Sequence, residues 1–281
     1  MGSVYITPQD LVIPARAKRS HKGDNGRVLI VGGSPEYVGA SALAGIAALH
    51  SGADSVMIAA PQKVAWAINL ISSDLMTHKL SGAYLKESHK TVIARLAKDA
   101  DVLLFGNGAG LHDSTLKLFK HLASFNMPKV VDADAIKALS AQELSNAIVT
   151  PHKRELELFL QNSGLDPATK PEHLRQSLPF FFDKNNVLLV KGSTDVIISK
   201  KNVWYNTTGN PGMTKSGTGD VLAGLCAGFF AQLKDAPQAA VNAAFISGRS
   251  GDALLDEKQW YTYLASDVAK EVSRVMISLK D

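Results

Sequence analysis

Val28-Leu29-Ile30-Val31-Gly32-Gly33-Ser34 decides how the rest of the chain is read. Four apolar residues in a row break at a glycine pair, and a small-residue helical stretch follows over about 39–51. A strand with no polar alternation has both faces covered, as in a parallel sheet flanked by helices. The same pattern recurs outward along the chain. Residues 55–59, 102–105, 129–131, 147–150 and 187–190 read as strands, with helices expected around 114–123 and 155–161. Asp195-Val196-Ile197-Ile198 and Val203-Trp204-Tyr205 flank Ser199-Lys200-Lys201-Asn202 and read as a hairpin. From Thr218 onward three helices are expected, over 218–233, 237–255 and 264–278. The expected fold is α/β, a three-layer α/β/α arrangement whose mostly parallel central sheet ends in antiparallel strands. No repeat, linker or charge block divides the chain, so 1–281 is expected to form a single domain.

Composition excludes several classes. The 281 residues are 46% hydrophobic, enough for a large core and too many for disorder. Thirty Lys and Arg against 26 Asp and Glu leave +4, which does not describe a dedicated nucleic-acid binder. Cys226 is the only cysteine, excluding an intrachain disulfide and a cysteine zinc cluster. Residues 1–14 lack the basic and apolar regions of a secretory leader, and the longest apolar candidate, 221–231, is too short to span a bilayer. A cytoplasmic protein with no membrane partner is expected.

The 22 glycines are an ordinary number in particular places. The densest run is Thr208-Gly209-Asn210-Pro211-Gly212-Met213-Thr214-Lys215-Ser216-Gly217-Thr218-Gly219-Asp220, which opens directly onto a long helix. Unpaired amides at a helix start attract anions, and glycines let a phosphate come close. Asp220 in the first turn either serves the helix dipole or does chemistry. Since Thr218 can cap instead, Asp220 is read as a general base. This is not a P-loop, because Thr218 stands where that motif needs Lys.

Other clusters begin at strand ends, where α/β folds bind ligands. Gly106-Asn107-Gly108-Ala109-Gly110 serves as a tight turn or a ligand loop. Thr150-Pro151-His152-Lys153-Arg154-Glu155 places His152 and Glu155 on one face of a helix start, or is an ordinary first turn. Lys191-Gly192-Ser193-Thr194-Asp195 is a plain turn or a phosphate and ribose site. The basic segment 18–27 steers an anion or forms a solvated face.

These motifs together resemble the ADP/ATP-dependent NAD(P)H-hydrate dehydratases of the ribokinase-like superfamily. The resemblance rests on 21–27, Gly32-Gly33-Ser34, Gly106-Asn107-Gly108-Ala109-Gly110, Asp132-Ala133-Asp134-Ala135, Thr150-Pro151-His152, Lys191-Gly192, Gly209-Asn210-Pro211-Gly212-Met213 and Gly217-Thr218-Gly219-Asp220-Val221-Leu222. It implies nucleotide-dependent dehydration of NADHX and NADPHX, with ADP or ATP as co-substrate. It implies a catalytic Asp220, substrate contacts at Ala40, Gly108, Gly110, His152 and Asp220, and a nucleotide site at Lys191, Gly192, Ser193, Thr194, Asp195, Gly217, Thr218 and Gly219. It further implies Mg2+, held by Glu155 through water, and a homotetramer. Two positions depart from the pattern: Lys153-Arg154 follows His152 in place of Pro-Gly, and Lys215-Ser216 replaces a smaller pair. A ribokinase-like kinase of a vitamin precursor shares the loop and Asp220, and a non-catalytic nucleotide binder is the third reading.

Overall fold

The structure, a computed structural model, describes residues 4–279. Its strands are β1 Val4–Tyr5, β2 Arg27–Val31, β3 Ser55–Pro61, β4 Met76–Leu80, β5 Val102–Phe105, β6 Lys129–Val131, β7 Ala147–Val149, β8 Val187–Val190, β9 Asp195–Ile198 and β10 Val203–Asn206. They form one sheet in the order β1-β10-β9-β8-β7-β6-β5-β2-β3-β4. From β8 to β4 every neighbouring pair is parallel. The hairpin β9–β10 is antiparallel as expected, and β1 adds a two-residue parallel strand outside it.

The apolar strands sort their side chains by the two-residue period of an extended chain. Val28 and Ile30 face one core, together with α1 Val38–His50, α2 Gln62–Ile71, α9 Thr218–Leu233, α10 Ala236–Lys258 and α11 Ala265–Ser278. Leu29 and Val31 face the other, covered by α3 Lys90–Ala97, α4 Asp113–Ala123, α5 Asp134–Ala138, α6 Lys153–Asn162, α7 Pro171–Ser177 and α8 Pro179–Asp183. Two cores on one sheet make the three layers.

The chain lays β2, β3 and β4 outward in one direction. It then returns past β2 to build β5 to β8 on the other side. Neighbouring strands β2 and β5 therefore send their following loops apart, and a crevice opens at their carboxyl ends. The 221–231 segment is a packing seam. No described helix is long and apolar enough to cross a membrane. A Cβ on Gly224 would lie 2.1 Å from the carbonyl oxygen of Ala44, and one on Gly228 would lie 2.8 Å from that of Ala48. The backbones of α9 and α1 thus touch, which only glycine permits.

One lysine lies inside the sheet. Lys129 is fully buried, and its ammonium donates to the Ser145 carbonyl at 2.7 Å. Burial pushes its pKa down from 10.5 to about 8. The unfolded chain keeps that proton to higher pH, so this residue makes stability rise as pH climbs from about 8 to 10.5. Lys129→Met is expected to be the more stable protein at pH 7, by on the order of 1–2 kcal/mol. Urea unfolding checks this, and the difference should narrow toward pH 10.

Candidate functional site

Each of five neighbouring strands releases a polar residue at its carboxyl end. Ser34 follows β2, Asn107 follows β5, Asp132 follows β6, Thr150 follows β7 and Lys191 follows β8. Gly106 makes the crowding possible. Its φ is +116°, and a Cβ there would lie 1.9 Å from the carbonyl oxygen of Asp132. The Asn107 carbonyl ties this edge to the β2 loop, accepting from the Gly33 amide at 2.9 Å and the Ser41 hydroxyl at 3.2 Å.

Four of these side chains, all but that of Ser34, join Asp220 in one largely buried network. Asn107 Nδ2 donates to Asp132 Oδ2 at 2.8 Å and to Asp220 Oδ1 at 2.7 Å. Asp132 Oδ1 accepts from Thr150 Oγ1 at 2.7 Å and from Lys191 Nζ at 3.0 Å. Lys191 Nζ also lies 3.7 Å from Glu155 Oε2. Burial opposes the charge on Lys191, but Asp132 and Glu155 outweigh it and hold the ammonium above its ordinary range. The Asp220 carboxyl is pushed up to about 6, first by burial and then by the Asp132 charge, with Asn107 and Lys191 pulling the other way.

Asp220 is the third residue of α9 and does not cap it. The cap position is Gly217, in the left-handed region at φ 97°, and it makes no side-chain cap bond. Thr218 does not cap either, because its hydroxyl donates to the Met213 and Lys215 carbonyls at 2.7 and 2.9 Å. The Thr218 amide donates to the Lys215 carbonyl at 3.4 Å, and the Gly219 and Asp220 amides remain available to an anion. Beside them lies a cleft of about 400 Å³ between the β8–β9 turn, the glycine loop and α10. Lys191, Gly192, Ser193, Asp195, Thr218 and Gly219 line it. Asp195 braces the turn, accepting from the Gly192 amide at 3.1 Å and from Asn206 Nδ2 at 3.0 Å.

The glycine loop is tied down from outside. The Asp252 carboxylate accepts from the Gly209 amide at 3.0 Å and from Asn210 Nδ2 at 3.1 Å. Lys215, one of the two departures from the family pattern, donates to the Tyr263 carbonyl at 2.6 Å and to that of Tyr261. A lysine here anchors the loop to the α10–α11 connection.

The other expected contacts fall in two groups. Ala40 and Gly108 meet beside the crevice, since a Cβ on Gly108 would lie 2.9 Å from that of Ala40. The Gly110 amide donates to Asp134 Oδ2 at 2.9 Å. His152 caps α6, its Nδ1 accepting from the Arg154 and Glu155 amides at 3.1 and 3.3 Å. A neutral ring then carries its proton on Nε2, which lies 3.4 Å from Glu155 Oε1. Glu155 returns the bond, accepting from the His152 amide at 2.9 Å. Thr194 is apart from the cleft and lines a separate groove with α6 and residues 167–171, while Ser193 borders both. The segment 18–27 lies at the opposite, amino edge of the strands. There Asp54 accepts from the Gly23 and Asn25 amides at 2.8 and 3.0 Å.

Sequence reading assigned no role to Asn107, Asp132 or Thr150. The available signal was Asp132 itself, a carboxylate placed directly after the apolar run of β6.

A sequence profile of the NAD(P)H-hydrate dehydratase family matches residues 28–274. The chain belongs to this family. It is 38% identical over 283 aligned positions to the bifunctional NAD(P)H-hydrate repair enzyme of Methanothermobacter thermautotrophicus, covering 98% of this chain and 54% of that one. The chain spans about half the length of the curated relatives it matches. Among solved structures it resembles a ribokinase-like superfamily protein of Enterococcus faecalis, with TM-score 0.84, 26% identity, and 99% and 96% of the two chains covered. It also shares the fold of the ADP/ATP-dependent NAD(P)H-hydrate dehydratase of Bacillus subtilis co-crystallised with ATP and Mg2+, with TM-score 0.79, 24% identity, and 99% of each chain covered. The expected ribokinase-like three-layer fold is thus the one observed.

Within this dehydratase family site, Lys191 neutralises carboxylates that have little access to water. Lys191→Met is expected to destabilise the fold by about 3 kcal/mol, because buried Asp132 loses its counter-charge. Urea unfolding at pH 7 measures the loss.

Proposed function

We propose that the chain dehydrates NADHX and NADPHX to NADH and NADPH, converting ADP to AMP and phosphate or ATP to ADP and phosphate. The observation that carries this reading is Asp220, a half-buried carboxylate that caps nothing and is pushed up to about 6, at a helix start that borders a nucleotide-sized cleft. The relatives' names and the ATP/Mg2+ complex of the Bacillus subtilis protein support the substrates. The ten-stranded sheet that runs through the described chain supports a single domain.

Hydroxide is a poor leaving group, whereas phosphate is a good one. In the proposed reaction Asp220 takes the proton of the ring hydroxyl as that oxygen attacks the terminal phosphoryl group of the nucleotide. The amides of Gly217 and Gly219 and the ammonium of Lys191 meet the charge on the transferring group. The lone pair of the ring nitrogen then breaks the C6–O bond and releases phosphate. Loss of the C5 proton to the released phosphate restores the ring double bond. His152 offers its Nε2 proton to the substrate, which makes it a contact and not the base.

The donor set fits a magnesium ion brought in on the nucleotide. Among the described residues no three His, Cys, Asp or Glu side chains converge into a cage. Glu155 is already engaged by the His152 amide and Lys191, so water would link it to the ion. Such an ion would neutralise phosphate charge. A homotetramer in the cytoplasm completes the proposal. Trp66, Leu70 and Ile71 stand exposed on α2 beside the edge strand β4 and suit a subunit contact.

Chemically hydrated NADH, Mg2+ and either ADP or ATP should restore the NADH absorbance. No recovery with either nucleotide overturns the reading, and a stable phosphorylated product without elimination makes the chain a kinase. The base must be ionised, so kcat/KM should fall about tenfold per pH unit below the Asp220 pKa of about 6. Asp220→Asn should lose about 10²–10⁴-fold in kcat while calorimetry still detects nucleotide binding.

A further inference from the structure

Asn107 is fully buried between three elements. Both hydrogens of its amide are used, one on Asp132 and one on Asp220, at 2.8 and 2.7 Å. Its Oδ1 is buried with no hydrogen-bond partner among the described residues. Turning the amide over would give that oxygen a different environment, but it would aim an acceptor at two carboxylates. The orientation is therefore fixed by the carboxylates and leaves an acceptor unsatisfied. Native interiors rarely tolerate such a group unless the arrangement serves something else. The backbone fixes it as well, since its carbonyl is held by Gly33 and Ser41.

We infer that Asn107 is a positioning residue, which holds the Asp220 carboxylate toward the reacting hydroxyl and stabilises its ionised form by sharing one amide group between Asp220 and Asp132. This rests on the proposed role of Asp220 as base. The charged groups that face Asp220 are Asp132 at the end of β6, Asp134 at the start of α5 and Lys191 at the end of β8. Asp132 and Asp134 work against a second negative charge, and Lys191 favours it. Asn107 favours it too, and it is the neutral group that touches both Asp132 and Asp220. Without its amide, Asp220 would face Asp132 with no donor between them and would be free to turn away.

Asn107→Leu has nearly the same shape, removes both donors and removes the unsatisfied acceptor. We expect it to fold with lower urea stability, because Asp132 and Asp220 each lose a donor, which outweighs the removal of one unpaired acceptor. The Asp220 carboxyl should titrate about one pH unit higher, read from the 13C shift of labelled aspartate with no substrate present. Asp220→Asn assigns the resonance. In the hydrate assay kcat should drop about 10–100-fold with KM within about threefold, and the acid limb should move up with the carboxyl. Asn107→Ser, which keeps one donor, should fall between the two proteins.

An unmoved Asp220 titration in a folded Asn107→Leu protein overturns the inference. So does an unmoved acid limb in an active one, or a loss of stability that accounts for all the lost activity. If wild type shows no nucleotide-dependent recovery of NADH, the proposed reaction fails. The titration then still decides whether Asn107 sets the state of Asp220.

Discussion

The backbone contact between α1 and α9 constrains everything at the site. Gly224 and Gly228 let α9 lie against the carbonyls of Ala44 and Ala48. A side chain at Gly224 would push the helices apart, and one at Gly228 would strike the Ser51 hydroxyl as well as the Ala48 carbonyl. Asp220 sits one turn before Gly224 on the same helix, so the seam that fixes Gly224 also fixes the carboxylate. The amino end of α1 carries Ala40 against Gly108. One helix pair therefore places the proposed base and one wall of the crevice together. The segment looks like an apolar Gly/Ala run in the sequence, and in the fold it is the gauge that sets the height of the site.

Charge within the site is arranged so that no group is comfortable alone. Asp132 is 2% exposed and stays paired through Lys191, Thr150 and Asn107. Lys191 in turn holds its proton because Asp132 and Glu155 face it. Asp220 is the last carboxylate in the row, and it is pushed up to about 6 first by burial and then by the Asp132 charge. A carboxylate at its ordinary value would be a weaker base, and one raised much further would be protonated at neutral pH. Two donors keep Asp220 between those limits, the Lys191 ammonium from a distance and the Asn107 amide by contact.

Much of the fold was legible because buried parallel strands are continuous apolar runs, and Val102–Phe105 and Val187–Val190 coincide with the expected segments. The edge strand β4 was not legible. Met76-Thr77-His78-Lys79-Leu80 is paired on one side only and half exposed, so its pattern is that of a loop. The helices α2 and α3 were missed with it. At the site Asp220 was legible because a glycine loop before a helix needs a reason to place a carboxylate there. Asn107 was not, since an asparagine between glycines reads equally as a turn former. Asp132 follows an apolar strand, yet only the fold brings Lys191 to it across 59 residues of chain.

The kinship with ribokinase-like proteins then has a chemical basis. Phosphoryl transfer needs a base for the attacking hydroxyl, amides and a cation for the transferring charge, and a cleft for the nucleotide. On the proposed reading the carboxyl edge of this sheet supplies all of these. None of them distinguishes a kinase from the proposed dehydratase. On that reading the difference arises after transfer, from the substrate. A phosphate ester on a carbon attached to a nitrogen with a free lone pair expels its phosphate, whereas an ordinary alkyl phosphate persists. A dehydratase can therefore use the same transfer apparatus as a kinase, provided the crevice beside Ala40 and Gly108 admits a hydrated nicotinamide ring.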